Sequence, residues 1–243
     1  MIYICIPSHN EGPTVGLLLW KVRKVFAEFG REYQFLVADD ASTDDTSARL
    51  EPYTKALPLT VVRQRERRGA AASAEALLRL AVERSDRPKR DCAVIMHADF
   101  THGAEHIPDL VRRVDSGADL VVGEATLAGV PSRSYRWLRH WAPRLISAGI
   151  PKVHDLASGF LAVRLGTVEQ ALPAMEPAVT ASGWAGNAQL IARLASQSRR
   201  IETMPVVERH DRRQRPLRSE AWQQARRLWA ARRLIRQAGE AAS

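Results

Sequence analysis

Ala93-Val94-Ile95-Met96-His97-Ala98-Asp99-Phe100-Thr101-His102 is the stretch that decides the fold. Its first four residues are apolar, and the run stops at residues that carry ligand chemistry. A stripe at Ile107, Leu110, Val111 and Val114 then has the three-four spacing of a helix. A buried strand, a polar loop and a helix in this order form one unit of a parallel α/β sheet. Asp99 offers a carboxylate, His97 and His102 imidazoles, and Thr101 a hydroxyl. Hard cations such as Mg²⁺ and Mn²⁺ take oxygen donors, and imidazole suits softer divalent ions. The plainer reading of the same residues is a strand-end loop with surface histidines.

The unit repeats along the chain. Ile2–Ile6 reads as a strand, and Val15, Leu18, Leu19, Val22, Phe26 and Phe29 share a helix face. Phe35-Leu36-Val37 is a second strand ending in Asp39-Asp40, with Ser42 or Thr43 able to cap the next helix. Leu59–Val62 is a third strand, followed by Gly69 and an Ala-rich helix to about Glu83; Leu120–Gly123 is a fifth. The expectation is a mostly parallel, doubly wound sheet, which binds ligands at the carboxyl ends of its strands. Four polar clusters fall there: Pro7–Glu11, Asp39–Asp44, Arg65–Gly69 and His97–His102. Beyond Gly123 the rhythm changes. Ser132–His140 is rich in Arg and aromatics, Trp184–Leu194 looks helical, Arg200–Val206 looks like a strand and Arg209–Arg218 like a basic loop. A single Trp- and Arg-bearing amphipathic helix is expected over 220–238. Residues 1–218 then form one domain and 219–243 a basic helix and tail.

The 243 residues, 45% of them apolar, suit one larger α/β domain with an appendage. Cys5 and Cys92 each sit in or beside an apolar run and read as buried thiols of a reducing compartment, not as a disulfide. The apolar start Met1–Pro7 is too short for a signal peptide, and no run nears the ~18 residues of a membrane span. A cytoplasmic protein, at most peripheral at the inner face of a membrane, is therefore expected. The net charge of +9 is concentrated: Arg199 to Arg236 holds twelve arginines against four acids, a net of +8. A solvated helix, anionic lipid, phosphate ligands and nucleic acid all fit that charge, but no nucleic-acid motif accompanies it, and nucleic acid is not expected as a partner.

Carboxylates at Asp39 and Asp40 accept hydrogen bonds from a base or from ribose hydroxyls, and equally well cap a helix. Gly69 before Ala70-Ala71-Ala72 allows close backbone approach at a helix N-terminus, a site suited to phosphate. With these motifs in place, the chain resembles a family 2 glycosyltransferase of GT-A fold. It is most similar to the dolichol-phosphate (polyprenyl-phosphate) mannosyltransferase branch, from about Ile2 to about Arg218. Pro7-Ser8-His9-Asn10-Glu11 stands at the family's Pro-x-Tyr-Asn-Glu loop. Val37 to Thr46 matches its Val-Asp-Asp-x-Ser-x-Asp-x-Thr, and His97 to Pro108 its Asp-Ala-Asp-Leu-Gln-His-Pro-Pro-Glu-x-Ile-Pro. Pro151 to Asp155, with Ser158-Gly159-Phe160, matches Asp-x-x-Ser-Gly-Phe.

The resemblance implies transfer of a hexose, mannose or glucose, from a nucleotide-diphosphate sugar such as GDP-mannose, with inversion, to a phosphate-bearing acceptor, polyprenyl phosphate. It implies Pro7, Ser8, Glu11, Asp39, Asp40 and Gly69 around the nucleotide, and Asp99 with His97 on a divalent Mg²⁺ or Mn²⁺. It further implies Asp99, Arg136 and Arg139 as catalytic groups on phosphate, and Asp155 and Ser158 on the acceptor side. The chain also departs from the pattern. His97 replaces the first Asp of the metal motif, Thr101 its Gln, Glu124-Ala125 a Ser-Arg pair, and Gln189 a Glu. These departures leave open a metal held by nitrogen, an Arg-based site with little or no metal, a soluble specialised metabolite as acceptor, and a degenerate nucleotide-sugar binder without catalysis.

Overall fold

In a computed structural model the chain is described over residues 1–130, 132–146, 153–173, 177–213 and 220–240. The first half alternates as the hydrophobic spacing predicts: β1 (Ile2–Ser8), α1 (Gly12–Phe29), β2 (Tyr33–Asp39), α2 (Thr46–Ala56), β3 (Leu59–Arg63), α3 (Ala70–Arg84), β4 (Cys92–Ile95) and α4 (Ile107–Asp115). The second half contains β5 (Leu120–Ala128), α5 (Arg133–Ile146), β6 (Leu161–Arg164), α6 (Leu165–Ala171), α7 (Trp184–Ser196), β7 (Ile201–Arg209), α8 (Ala221–Ala230) and α9 (Arg232–Glu240).

The strands form one seven-stranded sheet in the order β3-β2-β1-β4-β6-β5-β7. β6 runs antiparallel to both β4 and β5, and the other pairings are parallel. Both faces are buried, so strand side chains alternate between two cores. Ile2, Ile4 and Ile6 join Val94 and Met96 under α1, α2 and α4, while Tyr3 and Cys5 join Ala93 and Ile95 on the opposite side. Cys92 lies in the first core and Cys5 in the second. The two thiols thus project from opposite faces of the sheet, and both are free.

Three local expectations are corrected. Helix α2 starts at Thr46 with Asp45 at its N-cap, so neither Ser42 nor Thr43 caps it. The Ser42 N–H donates to Asp39 Oδ1 (3.0 Å) and its hydroxyl accepts from Asn10 N–H (2.8 Å), which ties two loops together instead of capping a helix. β5 continues five residues past Gly123, because β7 pairs with it along its whole length. The aromatic, Arg-rich segment is the helix α5. The single helix expected over 220–238 is two, broken at Ala231, with Leu228 on the first and Ile235 on the second both in the core. The expected boundary near residue 218, the end of the basic loop and Pro151-Lys152 lie outside the described residues.

Candidate active site

Three strand ends are held in unusual backbone conformations. Asn10 after β1, Ala41 after β2 and Phe100 after β4 have φ of 53°, 53° and 61°. Left-handed backbone is disfavoured for residues with a Cβ, and it persists only where surrounding contacts over-determine it. Here those contacts are visible. Asn10 Oδ1 accepts from Thr43 N–H (2.6 Å), Thr46 Oγ1 accepts from Glu11 N–H (2.8 Å), and the Lys21 ammonium sits 4.8 Å from the centre of the Phe100 ring. At the end of β7, Arg209 N–H donates to Thr101 O (2.8 Å), bringing a fourth loop to the β4 end.

Together these loops enclose a cavity of about 710 Å³ at the carboxyl edge of the sheet. Of the residues expected around a nucleotide, Pro7, Ser8, Glu11, Asp40 and Gly69 line it. Ser8 Oγ is buried and has no hydrogen-bond partner among the described residues. Asp40 accepts from the N–H groups of Arg68 (2.6 Å) and Gly69 (2.9 Å), and so fixes the loop that enters α3. Gly69 has φ of 94°, which favours glycine there. Asp39 is buried behind the cavity wall, where its carboxylate accepts from Ser42 N–H and from the Ser47 hydroxyl.

The β4 loop forms the floor. Asp99 Oδ1 accepts from Thr101 N–H (3.1 Å) and Thr101 Oγ1 (2.6 Å), and Oδ2 lies 2.9 Å from Arg213 Nη2. Burial pushes the Asp99 carboxyl up, but Arg213, His97 and the Thr101 hydrogen bonds outweigh it and leave the group below the usual range. His97 lies against Gly159, where a Cβ would collide with the imidazole Nε2. Ser158 sits beside them, in a small recess shared with Pro7 and His97. His102 stacks on Phe160, with ring centres 5.0 Å apart, and burial lowers its imidazole to about 4.

Arg139 and Arg136 separate. Arg136 is exposed and does not line the cavity. Arg139 lines the wall but is buried between two acids, with Nη1 2.6 Å from Asp155 Oδ1 and Nη2 2.9 Å from Glu208 Oε2. Asp155 Oδ2 also accepts from Ala125 N–H (3.1 Å), so this acid joins α5 to the second half of β5. Glu208 is held well below the usual carboxylate range: burial opposes the shift, and Arg139, then His210 and His102, outweigh it. Gln189 accepts from Thr180 and Ala181 N–H (3.0 and 2.9 Å) and orders the approach to α7.

Sequence reasoning placed Arg67 only as part of the Arg65–Gly69 cluster and did not place Glu208, Arg213 or Arg227 at the site, yet all four line the cavity. Arg67 precedes Gly69 in a cluster already noted. Arg213 and Arg227 belong to the basic segment, where nothing local separates a ligand-facing Arg from a solvated one.

A model of the Glycosyl transferase family 2 matches residues 3–169. Dolichol-phosphate mannosyltransferase of Pyrococcus furiosus is 28% identical over 179 residues, covering 69% of this chain and 47% of that protein. Polyprenol monophosphomannose synthase of Mycolicibacterium smegmatis is 27% identical over 177 residues, covering 69% and 63%. The chain thus spans about half to two thirds of the length of these curated relatives. Among solved structures, glucosyl-3-phosphoglycerate synthase of Mycobacterium tuberculosis in complex with Mn²⁺, UDP-glucose and phosphoglyceric acid superposes with a TM-score of 0.66 at 18% identity, covering 98% of this chain and 80% of that one. The fold is GT-A.

Mg²⁺ or Mn²⁺, expected at Asp99 and His97, meets a sparse donor set. Among the described residues no group of three His, Cys, Asp or Glu side chains is placed to hold a metal ion. One carboxylate whose oxygens already have partners, beside one imidazole, would leave most of a hard cation's shell to the diphosphate and water.

Proposed function

Because the chain belongs to glycosyl transferase family 2, we propose that it moves a hexose from a nucleotide-diphosphate sugar to a polyprenyl phosphate, with inversion at the anomeric carbon. The observation that carries this reading is the cavity: acceptor-rich on the β1 and β2 loops, cationic on the α3, β7 and α8 sides, and of a size that suits a sugar nucleotide. The names of the two curated relatives support the acceptor class.

In this reading an oxygen of the acceptor phosphate attacks the sugar C1. The bond from C1 to the β-phosphate oxygen breaks, and its electron pair leaves with the nucleoside diphosphate. A phosphate monoester is largely ionised at neutral pH, so no side chain has to remove a proton from it. The protein's task is to orient the two phosphates and to stabilise charge growing on the leaving group. Arg67 and Arg227 lie on the cavity wall for that purpose, and Asp40 holds the loop that carries Arg67 and Arg68. Arg139 works at one remove, since Asp155 and Glu208 hold its guanidinium.

The exposed aromatics fit a lipid-linked acceptor. Trp137 and Trp141 on α5, and Trp222 and Trp229 on α8, are exposed, and the two helices pack on each other. Arg226 lies over the Trp222 ring at 5.7 Å and Arg232 over Trp229 at 4.8 Å. Trp with Arg is the composition of a surface that sits on anionic lipid. No helix among the described residues is long and apolar enough to cross a membrane.

The test is transfer of radiolabelled sugar from GDP-mannose and UDP-glucose to polyprenyl phosphate or to a water-soluble phosphate monoester, followed by solvent partition. Label in the organic phase supports the reading. Label only in the aqueous product transfers the assignment to a soluble acceptor.

A further inference from the structure

Asp99 lines the cavity, is 9% exposed, and has both carboxylate oxygens engaged by protein partners. One oxygen is taken by Thr101 N–H and hydroxyl, and the other lies 2.9 Å from Arg213 Nη2. Arg213 comes from the loop after β7, which the hydrogen bond from Arg209 N–H to Thr101 O docks against the β4 loop. It lines the same cavity as Arg67 and Arg227, and its Nε is buried with no hydrogen-bond partner among the described residues.

From this arrangement we infer that the Arg213 guanidinium takes the place of a divalent cation at the diphosphate. Asp99 anchors one edge of the guanidinium, and the remaining N–H groups bind the phosphate oxygens. The inference rests on the sugar-nucleotide reading above. A guanidinium is always charged and presents its five donors in a planar fork, a geometry that pairs two phosphate oxygens at once. It meets the charge that develops as the C1–O bond breaks, without a proton transfer and without a metal. The residue at 97 is consistent with this chemistry. A second carboxylate beside Asp99 would help to hold a cation of charge two, but beside a single guanidinium it would leave net negative charge facing an anionic ligand. The imidazole of His97 adds none. Thr101 likewise directs its hydroxyl to Asp99 and so fixes the anchor that orients Arg213.

The experiment is calorimetric titration of the full chain with GDP and with UDP, in EDTA and in excess Mn²⁺, on wild type, Arg213→Gln and Arg213→Lys. The expected result is binding of one nucleotide with a Kd that agrees within about twofold between EDTA and Mn²⁺. That Kd should weaken about tenfold or more in Arg213→Gln and less in Arg213→Lys, whose point charge keeps part of the attraction. The electron spin resonance signal of Mn²⁺ alone should be unchanged by the protein. Tightening of about tenfold or more by Mn²⁺ in wild type overturns the inference and leaves the sugar-nucleotide reading standing. Unaltered affinity in a folded Arg213→Gln also overturns the inference alone. If Arg213→Gln does not fold, the wild-type comparison and Arg213→Lys still decide. Absence of binding by either nucleotide under both conditions overturns the inference and the sugar-nucleotide reading together.

Discussion

At the scale of single residues, the site is a set of buried charges whose partners define what each can do. Arg139 has an acid on each side and the Trp184 ring 5.8 Å away, with almost no exposure to water. Deleting one member of such a cluster strands the others without a counter-charge. Arg139→Met should therefore lower stability by about 3–5 kcal/mol, read from urea unfolding. A loss near that of an exposed pair would show that the cluster is wetter than the packing implies. His102 has a different signature. Burial lowers its imidazole from 6.5 to about 4; His97 and Arg139 push the same way, and Glu208 and Asp99 oppose. Between those two values the unfolded chain binds more protons than the folded one, so stability falls as pH drops through that window. The depressed Asp99 and Glu208 act at lower pH, below the ordinary carboxylate range. His102→Gln should flatten the loss of stability between pH 6.5 and about 4. An unchanged slope would contradict a buried neutral imidazole.

At the scale of elements, strain collects in the loops that follow strands. Ala41 sits at φ 53° between Asp40, which holds the α3 entry, and Ser42, which bridges to Asn10. Left-handed backbone costs an L-residue roughly 1–2 kcal/mol, and glycine loses about 0.5–1 kcal/mol more conformational entropy on folding than alanine. The difference favours relief, so Ala41→Gly should raise stability by about 0.5–1 kcal/mol in thermal unfolding. Destabilisation would mean that the methyl group packs in a way that offsets the strain. The same loops explain which elements were readable. The strands β1 to β4 were legible as short apolar runs that stop at polar residues, and the helices α1 and α3 because each buries one face. The chain from Arg133 to Ala171 was not. β6 has four residues, α5 buries Tyr135 while Trp137 and Trp141 face outward, and neither period dominates.

At the scale of the whole molecule, the described structure has one cavity edge and, beside it, an aromatic and basic face built from α5 and α8. Trp137 is 61% exposed and Trp229 53%. The full chain should float with vesicles containing phosphatidylglycerol at low salt and dissociate as salt screens the arginines. Trp137→Glu with Trp229→Glu should abolish flotation while leaving nucleotide affinity unchanged. Failure of the wild type to float at low salt would remove the membrane from the account and favour a water-soluble acceptor.

Spacing and residue type alone determined the α/β alternation, the carboxyl-edge location of the candidate site, and the placing of Pro7 at the end of β1 and of Glu11, Asp40, Gly69 and Asp99 beyond strand ends. These are consequences of local periodicity and of strand-end geometry. Only the tertiary structure separated Asp40 on the cavity wall from Asp39 behind it, and Arg139 among buried acids from Arg136 in solvent. Only the tertiary structure brought Arg213 to Asp99, 114 positions apart in the chain. Which arginine among many meets a given carboxylate depends on how β7 pairs with β5 and docks its loop on the β4 loop. That long-range pairing leaves no periodic trace in the sequence.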